Sequence, residues 1–382
     1  MSPAVLAAAQ TLQNTVLASL KQAFVGKDEI IDLMGVALAA GENLFLLGPP
    51  GTAKTALVHE LGRRLEAKSF DYLLTRFTEP NELFGPFDIR RLREGELITN
   101  TEGMLPEADL VFLDELLNAN SAILNSLLMV LNERVFRRGR ETRSIPALLV
   151  VGASNHLPED EALCALFDRF LLRVRCGPVP DDALAAVVEA SWRLESAPRP
   201  TPLLAAEDIR NIQQAVRQVD LAPVRPELVS LVLKLRQAGV TVSDRRAVRL
   251  QRVIAGSALL AGRTTARASD LWVLAHLWDR GEQIEIIALL VREVLDQTGS
   301  SPGDHPRAHA AAAPDPEALA AALTDLSARL TAAPPGDFSA ADELRRLASR
   351  LEWVTNPESR GALKEQCAAL WKKLDSPSGA AS

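Results

Sequence analysis

Apolar residues along the chain follow two patterns, and the change between them comes near residue 180. Before that point, five apolar runs have the length of a strand: 44–47, 72–77, 110–113, 148–151 and 171–174. Helical patterns separate most of these runs, notably at 55–67 and 121–134. Because buried strands alternate with helices, residues 1–180 are predicted to form an α/β domain whose parallel sheet is covered on both faces.

Residues 1–40 are predicted to be helical, with a break at Phe24-Val25-Gly26-Lys27. After residue 180 the strand signal stops, and helical patterns follow at 181–195, 206–218, 226–238, 243–262 and 268–280. We therefore expect an all-α domain over 181–297. Residues 298–315 are rich in Ser, Pro, Ala, Gly and His, which predicts a flexible linker. Apolar spacing returns after it, so 316–382 is expected to be a helical appendage.

Composition narrows the functional classes. The net charge of −7 argues against broad binding to nucleic acid, since a phosphate backbone demands a basic surface. The three cysteines are far apart, which favours a reducing compartment over a disulfide framework. No apolar run is long enough to span a membrane, and the N-terminal sequence lacks the pattern of a signal peptide. We expect a cytoplasmic protein without a membrane span.

A glycine-rich segment directly follows the first predicted strand and precedes a helix. Its residues are Gly48, Pro49, Pro50, Gly51, Thr52, Ala53, Lys54 and Thr55. In such a loop the backbone N–H groups surround phosphates, and the lysine reaches the β- and γ-phosphates of ATP. The hydroxyl of Thr55 would bind Mg²⁺. Ala53 replaces the second glycine of the general pattern, and a simple Gly/Pro turn with a solvated lysine is the alternative.

A second motif completes the chemistry. The run Leu110-Val111-Phe112-Leu113 ends in Asp114-Glu115, which places two acids at the carboxyl edge of the sheet, where nucleotide sites lie. Asp114 can hold Mg²⁺ through water, and Glu115 can orient and deprotonate the attacking water. Two acids that cap a following helix are the alternative. Together with the glycine-rich loop, the pair predicts an ATPase.

Three further positions carry weaker signals. Asn155 follows an apolar strand and either contacts the γ-phosphate or simply forms a turn. Arg169, just before the last strand, is either a surface charge or an arginine finger that neutralises a γ-phosphate. Ser243 suits a helix N-cap, and Arg245 or Arg246 after it is either solvated or reaches the nucleotide.

These motifs together resemble AAA+ ATPases, and specifically the MoxR family. The resemblance runs over about residues 20–280 and rests on GPPGTAKT, LVFLDE, GASN, FDRF and SDRR in that order. Residues 75–91, 102–108 and 121–136 are most similar to the branch that contains RavA, the regulatory ATPase variant A. The resemblance implies a five-stranded αβα ATPase core with an all-α lid domain.

The resemblance also implies roles. Val25 and Gly26 would line the adenine pocket, Asn155 would be sensor 1, and Arg169 would act as arginine finger on ATP in the neighbouring subunit. Arg245 would be sensor 2, with Arg246 as the alternative. Residues 84–100 would hold a β-hairpin inserted in helix 2. Members form hexamers and act as chaperone-like remodelling ATPases, frequently with a von Willebrand factor A (VWA) domain partner.

Three competing functions stay open at this point. A nucleic-acid motor is disfavoured by the net charge, although Arg90, Arg91 and Arg93 near the inserted segment support it. The ATPase subunit of a metal chelatase would require a large companion subunit. A nucleotide-dependent scaffold that barely hydrolyses ATP is disfavoured by the presence of Glu115 and Arg169.

Overall fold

The structure, a computed structural model, describes most of the chain. The described residues are 1–94, 97–138, 140–179, 183–198, 200–299, 301–309, 316–332, 344, 347–348, 351 and 357–375. The chain divides into two compact units, Met1–His309 and Ala310–Ser382, and each is described here by itself.

Helices open the first unit. Helix α1 (Pro3–Thr11) continues through one π-helical segment, Leu12–Leu17, into α2 (Ala18–Ala23). After the predicted break, α3 (Asp28–Ala40) is buried over most of its length. It ends at Gly41, whose φ of 68° is left-handed, a conformation that glycine adopts without steric cost.

The remaining helices and strands of the first unit alternate up to residue 175. The strands are β1 (Leu44–Leu47), β2 (Leu65–Glu66), β3 (Ser69–Leu73), β4 (Leu110–Asp114), β5 (Val135–Arg138), β6 (Glu141–Ser144), β7 (Leu149–Ser154), β8 (Leu172–Arg175) and β9 (Leu204–Ala205). The helices are α4 (Lys54–Arg64), α5 (Pro80–Phe84), α6 (Ile89–Arg93), α7 (Ser121–Glu133), α8 (Glu161–Phe167), α9 (Leu184–Ser196), α10 (Ala206–Ala215), α11 (Arg225–Gln237), α12 (Asp244–Leu260) and α13 (Gln283–Thr298).

Five parallel strands form the central sheet in the order β3-β4-β7-β1-β8. The three middle strands are almost entirely buried, as apolar runs covered on both faces must be. On β1, Phe45 packs edge-on against Phe167 and Phe170 at ring-centroid distances of 4.8 and 5.4 Å. The predicted α/β class with five parallel strands is confirmed.

The edge strand β3 differs from its prediction. The run 72–77 was expected to be the strand, but β3 is Ser69–Leu73, and a turn follows it. The Thr78 hydroxyl accepts a hydrogen bond from the Thr75 N–H at 2.9 Å, which fixes that turn. Phe77 is 83% exposed. The apolar run therefore did not mark a buried strand at its C-terminal end.

The predicted hairpin within 84–100 is also different. Phe87 and Thr99 form a single antiparallel bridge, and the helix α6 follows Phe87 where a strand was expected. Residues 95–96, at the expected turn, lie outside the described residues. The hairpin of this region is instead β5–β6, which the apolar pattern did not predict.

The two hairpin strands hold the inserted segment at both of its ends. Arg138 on β5 donates to the Gly85 carbonyl at 2.8 Å and lies over the Phe87 ring at 3.8 Å. Glu141 on β6 accepts from the Thr99 N–H at 3.0 Å. Ordered contacts therefore bind the base of the insertion to the strand pair that leads into β7.

The region after 180 is helical as predicted, with two differences. Residues Ala268–His276 form a 3₁₀ helix, and α13 extends to Thr298 although the sequence pattern indicated no helix beyond 280. Helix α12 packs on α3, so this helical region lies against the α/β domain. Among the described residues, no helix is long and apolar enough to cross a membrane.

Part of the expected linker is folded. Asp304 accepts hydrogen bonds from the Ser269 hydroxyl at 2.8 Å and the Ser301 N–H at 3.0 Å. His305 is fully buried and stacks on Trp272 at 4.9 Å between centroids. The prediction of a flexible linker is wrong for 301–309, because polar residues typical of linkers here satisfy specific partners. Residues 310–315 lie outside the described part.

The second unit contains two described helices, Pro316–Ala332 and Pro357–Asp375, in agreement with the predicted helical patterning. Its apolar cluster comprises Leu319, Leu323, Leu326, Leu344, Leu347, Leu351, Leu363, Cys367 and Leu370.

Candidate active site at the carboxyl edge of the sheet

The glycine-rich loop joins β1 to α4, as a phosphate-binding loop does. Gly51 and Ala53 both have left-handed backbones, with φ of 80° and 65°. Ala53 thus adopts the conformation that the usual glycine supplies, at a small steric cost. The Lys54 ammonium donates to the carbonyls of Gly48 and Pro49 at 2.7 and 3.0 Å. These contacts hold the lysine over the loop.

Cys176 supports this loop from behind, and the sequence motifs gave it no role. Its thiol donates to the Thr52 carbonyl at 3.3 Å, and its N–H donates to the Leu47 carbonyl at 2.8 Å. A Cβ on Gly48 would lie 2.0 Å from the Cys176 carbonyl oxygen. The close approach explains why residue 48 must be glycine. The only sequence signal for Cys176 was its place directly after the last strand.

Residues after Cys176 continue to the expected adenine pocket. The Lys27 ammonium donates to the Gly177 carbonyl. A Cβ on Gly26, whose φ is 72°, would lie 3.0 Å from the Val179 side chain. Val25 is half-buried beside them. One short segment therefore contacts both the phosphate loop and the Val25-Gly26 turn.

The two acids lie at the end of β4. The Asp114 carboxylate accepts the Glu115 N–H at 3.0 Å, and both side chains are half-buried. Glu115 has a left-handed φ of 50°, which is strained for a residue with a side chain. Such strain occurs where a fold positions a functional side chain.

Strand order brings the loop, the acids and Asn155 to one edge. Strand β7 lies between β1 and β4, with Leu47 opposite Ser154. Asn155 follows Ser154 directly and is exposed. Since parallel strands end at the same edge, Asn155 stands between the phosphate loop and the acids.

The donor set at this edge fits MgATP. The Asp114 carboxylate and the exposed Thr55 hydroxyl are hard oxygen ligands, which Mg²⁺ prefers, and phosphates complete such a site. A Cβ on Gly51 would meet no heavy atom within 4 Å, so the loop backbone is open to a ligand. Among the described residues, no group of three or more His, Cys, Asp and Glu could hold a metal.

Arg169 lies at the opposite, amino-terminal edge. It precedes β8, and its carbonyl accepts the Asn43 side-chain amide at 3.0 Å, just before β1 begins. The phosphate loop follows the other end of β1. The structure therefore does not bring Arg169 to the phosphate loop of its own chain.

Arg245 and Arg246 have different surroundings. Arg246 is 2% exposed and donates to the carboxylate of Asp279 at 3.0 Å and the Leu277 carbonyl at 2.6 Å. Arg245 is 47% exposed and pairs with Asp168 at 3.1 Å, next to Arg169. Within the described part of the chain, no hydrogen bond or ion pair joins Arg245 to the phosphate loop.

A buried arginine that no sequence motif marked supports this arrangement. Arg173 on β8 is fully buried and forms an ion pair with Asp279 at 2.8 Å. The pKa of Arg173 is lowered to about 9, chiefly by burial; the charge of Arg246 contributes to this lowering, and Asp279 opposes it. The guanidinium stays charged at neutral pH and fixes the residue-277 region against the sheet.

Comparison with known proteins identifies the architecture. A family model described as the MoxR domain of MoxR-vWA-beta-propeller ternary systems matches residues 10–214, more than half of the chain. The chain belongs to the MoxR family of AAA+ ATPases. A model of the AAA lid domain matches residues 221–291. The MoxR-domain match extends past residue 180 to residue 214, and the boundary at residue 180 stays a prediction.

Relatives span much of the MoxR-family chain. An uncharacterised protein of Methanocaldococcus jannaschii is 34% identical over 294 residues, covering 72% of this chain and 78% of the relative. The chaperone MoxR1 of Mycobacterium tuberculosis is 26% identical over 209 residues, which cover 53% of this chain and 54% of MoxR1. A crystal structure of a candidate ATPase from Cytophaga hutchinsonii superposes with a TM-score of 0.63 at 18% identity. The superposition covers 78% of this chain and 97% of the other. The last comparison supports the fold.

Proposed function

We propose that this MoxR-family protein hydrolyses ATP in a homo-hexameric ring and uses the energy to remodel or activate a protein partner. Lys54 and the loop around it bind the phosphates, and Thr55 and Asp114 hold Mg²⁺. Bound Mg²⁺ neutralises charge on the transferred phosphoryl group. Glu115 deprotonates the attacking water, and Asn155 orients it.

The position of Arg169 carries the proposal of a ring. Each chain has the phosphate loop at one edge of the sheet and Arg169 at the other. An arginine finger must reach the γ-phosphate, so Arg169 serves the site of a neighbouring copy. Arg245, beside Asp168 at the same edge, then acts on the neighbouring nucleotide as well.

The partner we propose is a VWA-domain protein, because the matching family model is defined for MoxR domains of MoxR-vWA-beta-propeller systems. The inserted segment offers its contact surface. Ile89 and Leu97 are 68% and 54% exposed, and Arg90, Arg91 and Arg93 are exposed beside them. Apolar and charged groups together suit a protein surface better than bare phosphate. Placement in the RavA branch and in the cytoplasm stays a prediction.

The concentration dependence of turnover tests the ring. ATP hydrolysis per chain is measured across protein concentrations, while native mass spectrometry reports the oligomer present. We expect turnover per chain to rise as rings assemble. A constant turnover in a protein that stays monomeric contradicts the proposal.

The partner has a separate test. Residues 90–98 are replaced by a short Gly/Ser turn, and hydrolysis is measured with and without the VWA protein encoded beside the gene. Basal turnover should be largely kept, and the response to the VWA protein should disappear. A full response in the shortened protein would assign the contact to another surface.

A further inference from the structure

Three arginines interact with one buried carboxylate at the amino-terminal edge of the sheet, and a fourth adjoins them through its backbone. The three are Arg134 after α7 and Arg249 and Arg252 on α12, the carboxylate is Glu42, and the fourth is Arg169 before β8, whose carbonyl accepts a hydrogen bond from Arg249. We call this group the arginine cluster. It joins three parts of the fold that are distant in sequence.

Glu42 cannot neutralise the cluster. Arg249 donates to the Glu42 carboxylate at 2.9 Å through Nε and also donates to the Arg169 carbonyl at 3.3 Å. Arg252 lies 3.6 Å from the same carboxylate and is 50% exposed. Three guanidinium charges around one carboxylate leave two positive charges in excess. A cluster of this kind attracts anions.

Two guanidinium groups in the cluster have unused donors. Arg134 Nη1 and Arg169 Nε are buried and have no hydrogen-bond partner in the described part of the chain. Buried N–H groups without an acceptor are costly and uncommon, so each calls for an explanation. Burial lowers the pKa of Arg134 to about 10, with Glu42 opposing and Arg249 adding to the shift. Arg134 is therefore still charged at neutral pH.

The backbone gives independent support. Among the described residues, the non-glycine positions with positive φ are Ala53, Glu115 and Arg134. The first two belong to the nucleotide site. Arg134, with φ of 53°, is strained in the same way, although it lies at the other edge. Local strain of this kind concentrates at functional sites.

We propose that Arg134 and Arg252 join Arg169 in an anion-binding site that receives the terminal phosphates of ATP held by a neighbouring copy. The ligand class is a polyphosphate, because the surplus charge and the unused N–H groups match phosphate oxygens. The identity of the donor as a neighbouring copy rests on the proposed function. Binding of polyphosphate by the arginine cluster does not rest on the proposed function.

The test uses full-length protein with Lys54→Ala, which weakens the chain's own phosphate loop. Inorganic tripolyphosphate is titrated while thermal stability is followed. Arg134→Asn and Arg252→Gln are each added to this background, and Arg137→Gln, an exposed arginine on β5, is the matched control. Asparagine tolerates the left-handed backbone at 134. Binding of a fluorescent ATP analogue to the Arg134→Asn chain with Lys54 intact verifies that it folds.

We expect tripolyphosphate to stabilise the Lys54→Ala protein. Each cluster substitution should raise its apparent Kd about tenfold or more, because charge-assisted hydrogen bonds are lost. The Arg137→Gln control should bind as its parent does. Absence of stabilisation, or equal affinity in the cluster variants and the control, overturns the proposal. Turnover that proves independent of assembly would refute the ring and leave this binding result unaffected.

Discussion

The two edges of the central sheet carry different chemical groups. At the carboxyl edge, the phosphate loop, the acids and Asn155 converge within one chain, and Cys176 holds the loop from behind. At the amino-terminal edge, the arginine cluster has surplus positive charge and unused donors. In the proposed mechanism, one edge supplies the groups that bind and attack a phosphate, and the other supplies the cations that stabilise its transfer.

Under the proposed mechanism, this difference means that a single chain holds two incomplete halves of a catalytic site. The short strand β1 separates them, so the halves complement each other only between copies. If the proposed ring forms, assembly is therefore a condition for catalysis. The lid contributes to the second half because α12 supplies Arg249 and Arg252.

Removing Arg169, the proposed arginine finger, should have the largest effect on turnover. Arg169→Ala is expected to lower kcat by about 10³–10⁵-fold, since an arginine finger stabilises charge that develops only in the transition state. ATP affinity of the unassembled chain should change little, because the substituted side chain is remote from the chain's own phosphate loop. Steady-state kinetics and nucleotide titration check both statements, with Arg137→Gln as the exposed-arginine control.

At the opposite edge, Glu115→Gln should keep ATP binding and lower turnover by on the order of 10²-fold or more, as loss of a general base does. Lys54→Ala should instead weaken binding itself. Comparing Kd and kcat for the two variants separates positioning of the phosphates from activation of water. Near-normal turnover in the Gln variant would remove Glu115 from the mechanism.

Docking of residues 301–309 on the helical region should depend on acidity. Burial lowers the pKa of His305 from 6.5 to about 3, and Lys21, Arg263 and Arg307 add to the shift. The unfolded chain then binds a proton that the folded segment excludes. The contribution of neutral His305 to the free energy of unfolding is therefore fully present above pH 6.5. It falls as the pH decreases toward 3, by at most about 1.4 kcal/mol per pH unit.

Amide exchange of residues 301–309 between pH 7 and pH 5 measures that loss. His305→Phe keeps a ring to stack on Trp272 and should flatten the dependence. An equal slope in both proteins would assign the proton uptake elsewhere, with His276, whose pKa burial also lowers, as the next candidate.

The smallest expected effect is on ATP affinity and concerns the contact of Cys176 with the glycine-rich loop. Cys176→Ala removes the donor to the Thr52 carbonyl, and we expect ATP affinity to fall about 2–10-fold with kcat nearly kept. Cys176→Ser retains a donor and should restore affinity. If Ser and Ala behave alike in nucleotide titrations, the thiol acts through packing alone.

Local signals made the carboxyl edge predictable. The strand 44–47 and the loop after it form one continuous segment, and Asp114 and Glu115 end another, so the spacing within each segment indicated them. The amino-terminal edge depends on contacts such as Glu42 with Arg249, far apart in the chain, and no local pattern marks them. Composition also failed for 301–309, where Asp304 finds partners on the lid.

Secondary-structure type inside the insertion was equally hard to predict. The alternation of charged and apolar residues over 87–99 suits a hairpin, yet α6 forms there. Asp88 accepts the Arg90 N–H at 2.8 Å, a local bond that starts a helical turn. The paired strands of this region are instead β5 and β6, and Arg138 on β5 donates a hydrogen bond to the inserted segment.

Mixing two inactive variants tests the central claim most directly. Arg169→Ala has an intact base and lacks the finger, whereas Glu115→Gln has an intact finger and lacks the base. In mixed rings some interfaces combine the intact base of one chain with the intact finger of another, so the mixture should hydrolyse ATP well above the sum of the separate proteins. A mixture whose turnover equals that sum, in rings shown to contain both variants, would contradict a catalytic site shared between copies.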